Sequence, residues 1–138
     1  VQTCALPIYM YAYAAHKGQH DEYWKNYDFE KDTSTVEKPR EIMYWRKHPN
    51  LHGWMENLYR ARGGDAEMFN GVELELTYDD ILKLEEDITK GRVKRLGTTG
   101  FFFGDPSDDY YHDKDMEFIR LAKAELFLGI PVFYNSSW

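Results

Sequence analysis

The sequence predicts an α+β domain: a small antiparallel or mixed sheet of three to four strands, with three to four helices packed mainly on one face. Three observations carry this. YAYAA (11–15) and GVELELT (71–77) alternate their side chains at the period of a strand. Three later segments space their apolar residues three and four apart, the period of a helix. The two kinds of segment do not alternate as regular βαβ units would, so a doubly wound parallel sheet is not expected.

Residues 1–9 are expected to be a non-native or disordered lead, and 10–138 a single domain. VQTCALPI lacks the basic start of a signal peptide and looks like translated sequencing adapter, so the native chain is expected to begin at Met10. YAYAA then forms the first strand. The polar, ring-rich run from His16 to Pro39 has no helical periodicity and reads as a long loop or flap, a kind of segment that is usually functional or disordered. Pro39 is expected to open a short helix through EIMYWRK, which Pro49 ends or kinks.

From Leu51 the pattern is helical, with Leu51, Met55, Leu58 and Tyr59 on one face, Arg60 and Arg62 in the last turn, and Gly63-Gly64 as terminator. In GVELELT, Val72, Leu74 and Leu76 point one way and Glu73 and Glu75 the other. Thr77 caps the next helix, with Asp79 and Asp80 in its first turn and Ile81, Leu84 and Ile88 as its buried stripe. After the basic turn from Arg92 to Arg95, TTGFFFG is a short buried strand or a loop pinned by rings. An acidic turn leads to a helix starting near Asp113, with Met116, Ile119, Ala122 and Leu126 as its stripe, and PVFY is the last strand.

The bulk composition narrows the function. At 138 residues the chain is long enough for its own core, and a net charge of -7 argues against general nucleic-acid binding. One cysteine, Cys4, excludes an internal disulfide framework and fits a reducing cytoplasm; no stretch reaches the length of a membrane span. Eleven tyrosines and four tryptophans suggest exposed aromatic surface used for recognition, or else a core filled with large residues.

YWRKHPNLHGWM (44–55) concentrates rings and cations. Trp45 and Trp54 offer stacking faces, beside Tyr44. Arg46 can hold a phosphate bidentately, Lys47 is a point charge, and His48 and His52 add donors near neutral pH. Thr98 and Thr99, between Gly97 and Gly100, are candidates to present hydroxyl and backbone donors to an anion. The alternative is that Tyr44 and Trp54 are core residues with a solvated Arg-Lys pair. His16/His20 and His48/His52 share the spacing of zinc ligands on a helix, but Gly18 and Pro49 interrupt them, so no metal is expected. No cofactor is expected either, and no nucleophile elbow appears.

YWRKHPNLHGWMENLYR, FNGVELELTYDDILKLEEDI, TTGFFFG and the terminal FYNSSW together resemble a family of short tailed-phage proteins of unsettled activity, over nearly all of the chain from Met10. Members are often labelled phosphoglycerate kinase. That label does not suit this chain, which is too short for two nucleotide-binding lobes and has no GxxxxGK[ST] loop. The resemblance implies a viral accessory protein acting in the host bacterial cytoplasm and carries over no catalytic residues.

Three functions follow as expectations. The first is a binding protein for a small phosphorylated or nucleotide-like ligand, sequestering a host antiviral signalling nucleotide. The second is a protein-interaction module that inhibits a host enzyme, with exposed Trp and Tyr as anchors. The third is a small enzyme acting on a phosphorylated or nucleotide substrate, with His48 or His52 as general acid or base. A homo-oligomer is expected, as small sequestering proteins often complete their pockets across a subunit boundary.

Overall fold

The computed structural model describes residues 9–46, 48–93 and 108–137. Its first strand, β1 (Tyr9–Ala14), lies inside a four-stranded antiparallel sheet. The chain then runs through helix α1 (Gln19–Lys25), a two-stranded hairpin of β2 (Tyr27–Asp28) and β3 (Thr33–Ser34), and strand β4 (Arg40–Arg46). Helix α2 (Pro49–Ala61), strand β5 (Leu74–Leu76), helices α3 (Tyr78–Thr89) and α4 (Asp108–Phe127) and strand β6 (Val132–Ser137) complete it. The strand order is β4-β1-β6-β5, with every pairing antiparallel. This is the predicted fold class. Tyr9, grouped with the lead on sequence, is the first residue of β1.

Alternation along the strands divides the sheet into two unlike faces. Met10 and Ala12 of β1, Trp45 of β4, Leu74 and Leu76 of β5, and Val132 and Tyr134 of β6 enter one core with residues of α2, α3 and α4. The register places Tyr9, Tyr11 and Tyr13 on the opposite face, across from Ser137, Asn135 and Phe133 of β6. That second face carries a smaller cluster of Tyr13, Ala15 and Phe133, with the His20 ring of α1 stacked on Tyr13 at 4.8 Å.

Three segments depart from the sequence expectation. Residues 40–46 form a strand, not a helix opened by Pro39. Ile42, Tyr44 and Trp45 are β-branched or aromatic and pack well on a pleated surface, and pairing with β1 outweighs a helix start. Pro49 consequently opens a helix where it was expected to end one. It stands in the first turn of α2, where its missing N–H costs nothing. The flap from His16 to Pro39 holds a seven-residue helix and a hairpin. α1 buries none of its residues, so it leaves no apolar stripe in the sequence. The last helix begins at Asp108, five residues earlier than expected: the acidic run read as a turn is its N-terminus, a favourable place for carboxylates.

Of GVELELT only Leu74–Leu76 is strand, and the last strand runs from Val132 to Ser137, while the α3 reading holds. Thr77 Oγ1 accepts from the Asp80 N–H and Asp80 Oδ2 from the Thr77 N–H, a closed capping box at the start of α3. Ile81, Leu84 and Ile88 are buried on its inner face.

Two buried acids fix the tryptophans of the core. Trp45 Nε1 donates to Asp115 Oδ1 at 2.9 Å, and His48 Nε2 lies 2.8 Å from Asp115 Oδ2, with the His48 ring stacked on Tyr111. Trp54 Nε1 donates to Asp87 Oδ2 at 2.9 Å, and Arg92 holds the other oxygen. Burial pushes the Asp87 carboxyl up, but hydrogen bonds from Trp54, Arg92 and Lys83 outweigh it and hold the group below the usual range. Replacing Asp115 with Ala leaves the Trp45 indole and His48 without their partner. The expected cost in urea unfolding is on the order of 3 kcal/mol, whereas Glu117→Ala, which removes a surface pairing with Arg120, leaves the midpoint nearly unchanged.

Candidate functional site

The residues singled out in the sequence divide between the two sheet faces. Trp45, His48, His52 and Trp54 are buried on the helix side and bound to protein partners, so they are core residues and not a ligand platform. Their period explains it. Trp45 alternates inward on β4, and Trp54 falls on the inner stripe of α2, whose buried residues also include Leu51 and Met55. Lys47, Thr98 and Thr99 lie outside the described residues, as do TTGFFFG and Trp138.

Tyr44 and Arg46 go the other way. Register pairs Tyr44 with Tyr11 and Arg46 with Tyr9, on the face away from the helices. The Arg46 guanidinium is exposed, and among the described residues nothing binds it.

That face carries an open cavity of about 320 Å³. Its walls are six aromatic rings from three parts of the chain: Tyr9, Tyr11 and Tyr13 of β1, Tyr23 and Trp24 of α1, and Tyr44 of β4. His20, Lys38, Pro39, Glu41 and Ser137 complete the lining. Three of the rings stand well into solvent, Tyr9 at 49%, Trp24 at 47% and Tyr44 at 37% exposed. A ring half in water gains much from covering its face with another flat group.

The flap that closes one side is held by its own contacts. Gln19 Nε2 donates to the Glu37 carbonyl at 2.9 Å, tying its beginning to its end, and Ser34 Oγ donates to the Tyr23 carbonyl at 2.8 Å. Tyr23, Trp24, Tyr27 and Phe29 touch in sequence, with successive centroids 4.7–5.0 Å apart except for a 5.7 Å contact between Tyr23 and Tyr27. At the floor, the Tyr13 hydroxyl donates to Glu73 Oε2 at 2.5 Å, and the Tyr11 hydroxyl lies 3.4 Å from His20 Nε2.

Charge is distributed unevenly around the cavity. Glu41, opposite Tyr13 in the register, and Lys38 line it, while Arg46, opposite Tyr9, lies beyond the lining. Four residues of β1 separate the two ends, roughly 13 Å at the rise of a strand. Lys114 of α4 adds a second cation near the Arg46 end, its Nζ 5.9 Å from the Tyr44 ring centroid. Among the described residues, no group of three or more His, Cys, Asp or Glu is placed to hold a metal ion, and no helix is long and apolar enough to cross a membrane.

Compared with protein-family models, curated proteins and solved structures, the chain matches none.

The cavity was missed in the sequence because its walls come from positions 9–13, 23–24 and 44, which no window unites. A signal existed in the unusual side chains that β1 turns outward, Tyr9, Tyr11 and Tyr13, where a solvated sheet face would carry charge.

The two histidines offered as general acid or base are not open to substrate. His52 Nδ1 lies 2.7 Å from the Tyr134 hydroxyl inside the core, and burial pushes its pKa down to about 4 despite a hydrogen bond with the Phe69 backbone. The folded protein therefore keeps His52 neutral while the unfolded chain protonates near pH 6.5. Stability contributed by this difference is complete above pH 6.5, declines as pH falls towards 4, and then levels off, by on the order of 3 kcal/mol in all. Urea midpoints measured from pH 7 to pH 4 are expected to show this decline, and His52→Gln to flatten it.

Proposed function

We propose that the protein is a small-molecule capture module whose ligand is nucleotide-like: a flat ring held in the tyrosine cavity, with a phosphate towards Arg46. The observation that carries it is the convergence of six rings from β1, α1 and β4 on one open cavity, with Arg46 outside the lining but paired in register with Tyr9, which lines it. Stacking contributes on the order of 1–3 kcal/mol per ring face, and an arginine fork matches phosphate oxygens in a way an ammonium does not. The flap supplies two of the rings and covers a bound ring from the side away from the sheet.

Among the cations sought in the sequence, Arg46 is the one that serves this reading. Trp45 and Trp54 do not touch the ligand; Trp45 anchors the strand that carries Tyr44 and Arg46, and Trp54 ties α2 to α3. The resemblance to short tailed-phage proteins supports the biological role of sequestering a host signalling nucleotide without turning it over.

A second reading has its own observation. Phe127 and Leu128, at the end of α4, are 84% and 71% exposed, which suits a protein-interaction module. Stoichiometric recovery of a host protein that Phe127→Ser releases, with no bound small molecule, favours it over ligand capture.

Calorimetry and Trp24 fluorescence against linear and cyclic nucleotides test the capture reading. Tyr44→Ala and Arg46→Ala are each expected to weaken binding about tenfold with the fold intact. Trp45→Phe is expected to lower stability and leave affinity alone. Absence of binding across the panel removes the proposal.

A further inference from the structure

The cavity lining holds one acid, Glu41, and one lysine, Lys38, and the acid has no assigned partner. Glu41 lines the cavity opposite Tyr13, and among the described residues its carboxylate meets no donor. Glu73, the other acid beneath the rings, is already engaged by the Tyr13 hydroxyl. A carboxylate accepts and cannot donate, so a planar group that enters beside Glu41 is favoured when it presents N–H donors on that edge and disfavoured when it presents a lone pair.

Resting on the capture reading above, we infer that Glu41 selects the ring: the ligand is a guanine-class heterocycle, with two adjacent N–H donors facing the carboxylate while its phosphate faces Arg46. Guanine offers N1–H and the exocyclic amino group side by side, matching two carboxylate oxygens. Hypoxanthine keeps N1–H alone. Adenine has an amino group next to an N1 lone pair, which points its electrons at the carboxylate.

The electrostatics of the site run the same way. The Tyr11 hydroxyl is raised above the usual tyrosine range, first by burial and then by the negative charges of Glu41 and Glu73. Two acids thus act on the Tyr11 hydroxyl, which favours a donor edge beside Glu41. Arg46 and Lys114 offer phosphate two cations near the other end, about 13 Å along β1. A nucleoside monophosphate laid along the strand meets both conditions at once.

The experiment is calorimetry of the whole chain with guanosine, inosine and adenosine 5′-monophosphates, repeated for Glu41→Gln and for Glu75→Gln. Glu75 is an exposed acid of β5, register-paired with Phe133 and outside the cavity, so its variant removes the same charge without touching the site. The wild type is expected to prefer guanosine monophosphate to adenosine monophosphate by about tenfold or more, with inosine monophosphate between. Glu41→Gln, which presents one acceptor and one donor, is expected to lose or reverse that preference, and Glu75→Gln to keep it. Circular dichroism confirms that each variant folds. Binding without base preference in the wild type, or a preference that survives Glu41→Gln, overturns the assignment of Glu41 and leaves capture standing. Failure of all three nucleotides to bind overturns the guanine assignment, and failure of the linear and cyclic panel as well overturns capture.

Discussion

The architecture depends on the alternation of β1. This strand lies between β4 and β6, and each of its side chains must face either the helices or the flap. Met10 and Ala12 face the helices, where they are wholly buried. Tyr9, Tyr11 and Tyr13 face the flap, where a hydroxyl on every ring lets a large apolar surface end in hydrogen bonds or water. A register slip of one residue would put three phenols into the aliphatic core and a methionine on the open face, so the pairing is strongly specified.

The helix side is built for permanence. Each of the two buried indoles donates to an acid that also binds a second group, and those acids come from α3 and α4 while the indoles come from β4 and α2. These bonds cross from one element to another at long sequence separation, and they fix how α2 and the helices α3 and α4 sit on the sheet. The Arg40–Glu125 pair, made through both nitrogens at 2.5 and 2.6 Å, ties the edge strand β4 to α4 in the same way. A rigid β4 matters because Tyr44 and Arg46 alternate outward from the strand that Trp45 anchors inward. The flap side, by contrast, is held by ring contacts and a few hydrogen bonds to backbone carbonyls, which suits a cover over an open cavity.

Most of the fold was legible because periodicity reports burial directly. The Leu74–Leu76 alternation, the Ile81–Leu84–Ile88 stripe and the Thr77 cap each have one sensible local solution, and the structure adopts it. EIMYWRK misled because a proline before it is a genuine helix signal, while the evidence for a strand lay in partners about thirty residues away on β1. The dense stretch at 44–55 was legible as special but not as divided. Its rings and cations are adjacent in sequence, yet a strand followed by a helix sends Tyr44 and Arg46 to one face and Trp45, His48, His52 and Trp54 to the other. The acids that capture the indoles, Asp87 and Asp115, read as ordinary members of charged runs. Nothing local distinguishes a carboxylate that meets a buried N–H from one that meets water.

The cavity thus combines flat aromatic walls with Glu41 and Lys38 in its lining, and it excludes Trp45 and Trp54. The most direct test is the indole N–H region of a two-dimensional nitrogen–proton NMR titration with guanosine monophosphate, in which each tryptophan reports separately. The account predicts that the Trp24 signal moves with saturation while those of Trp45 and Trp54 stay in place. Movement of Trp45 and Trp54 with Trp24 unchanged would put the ligand on the helix side and contradict it.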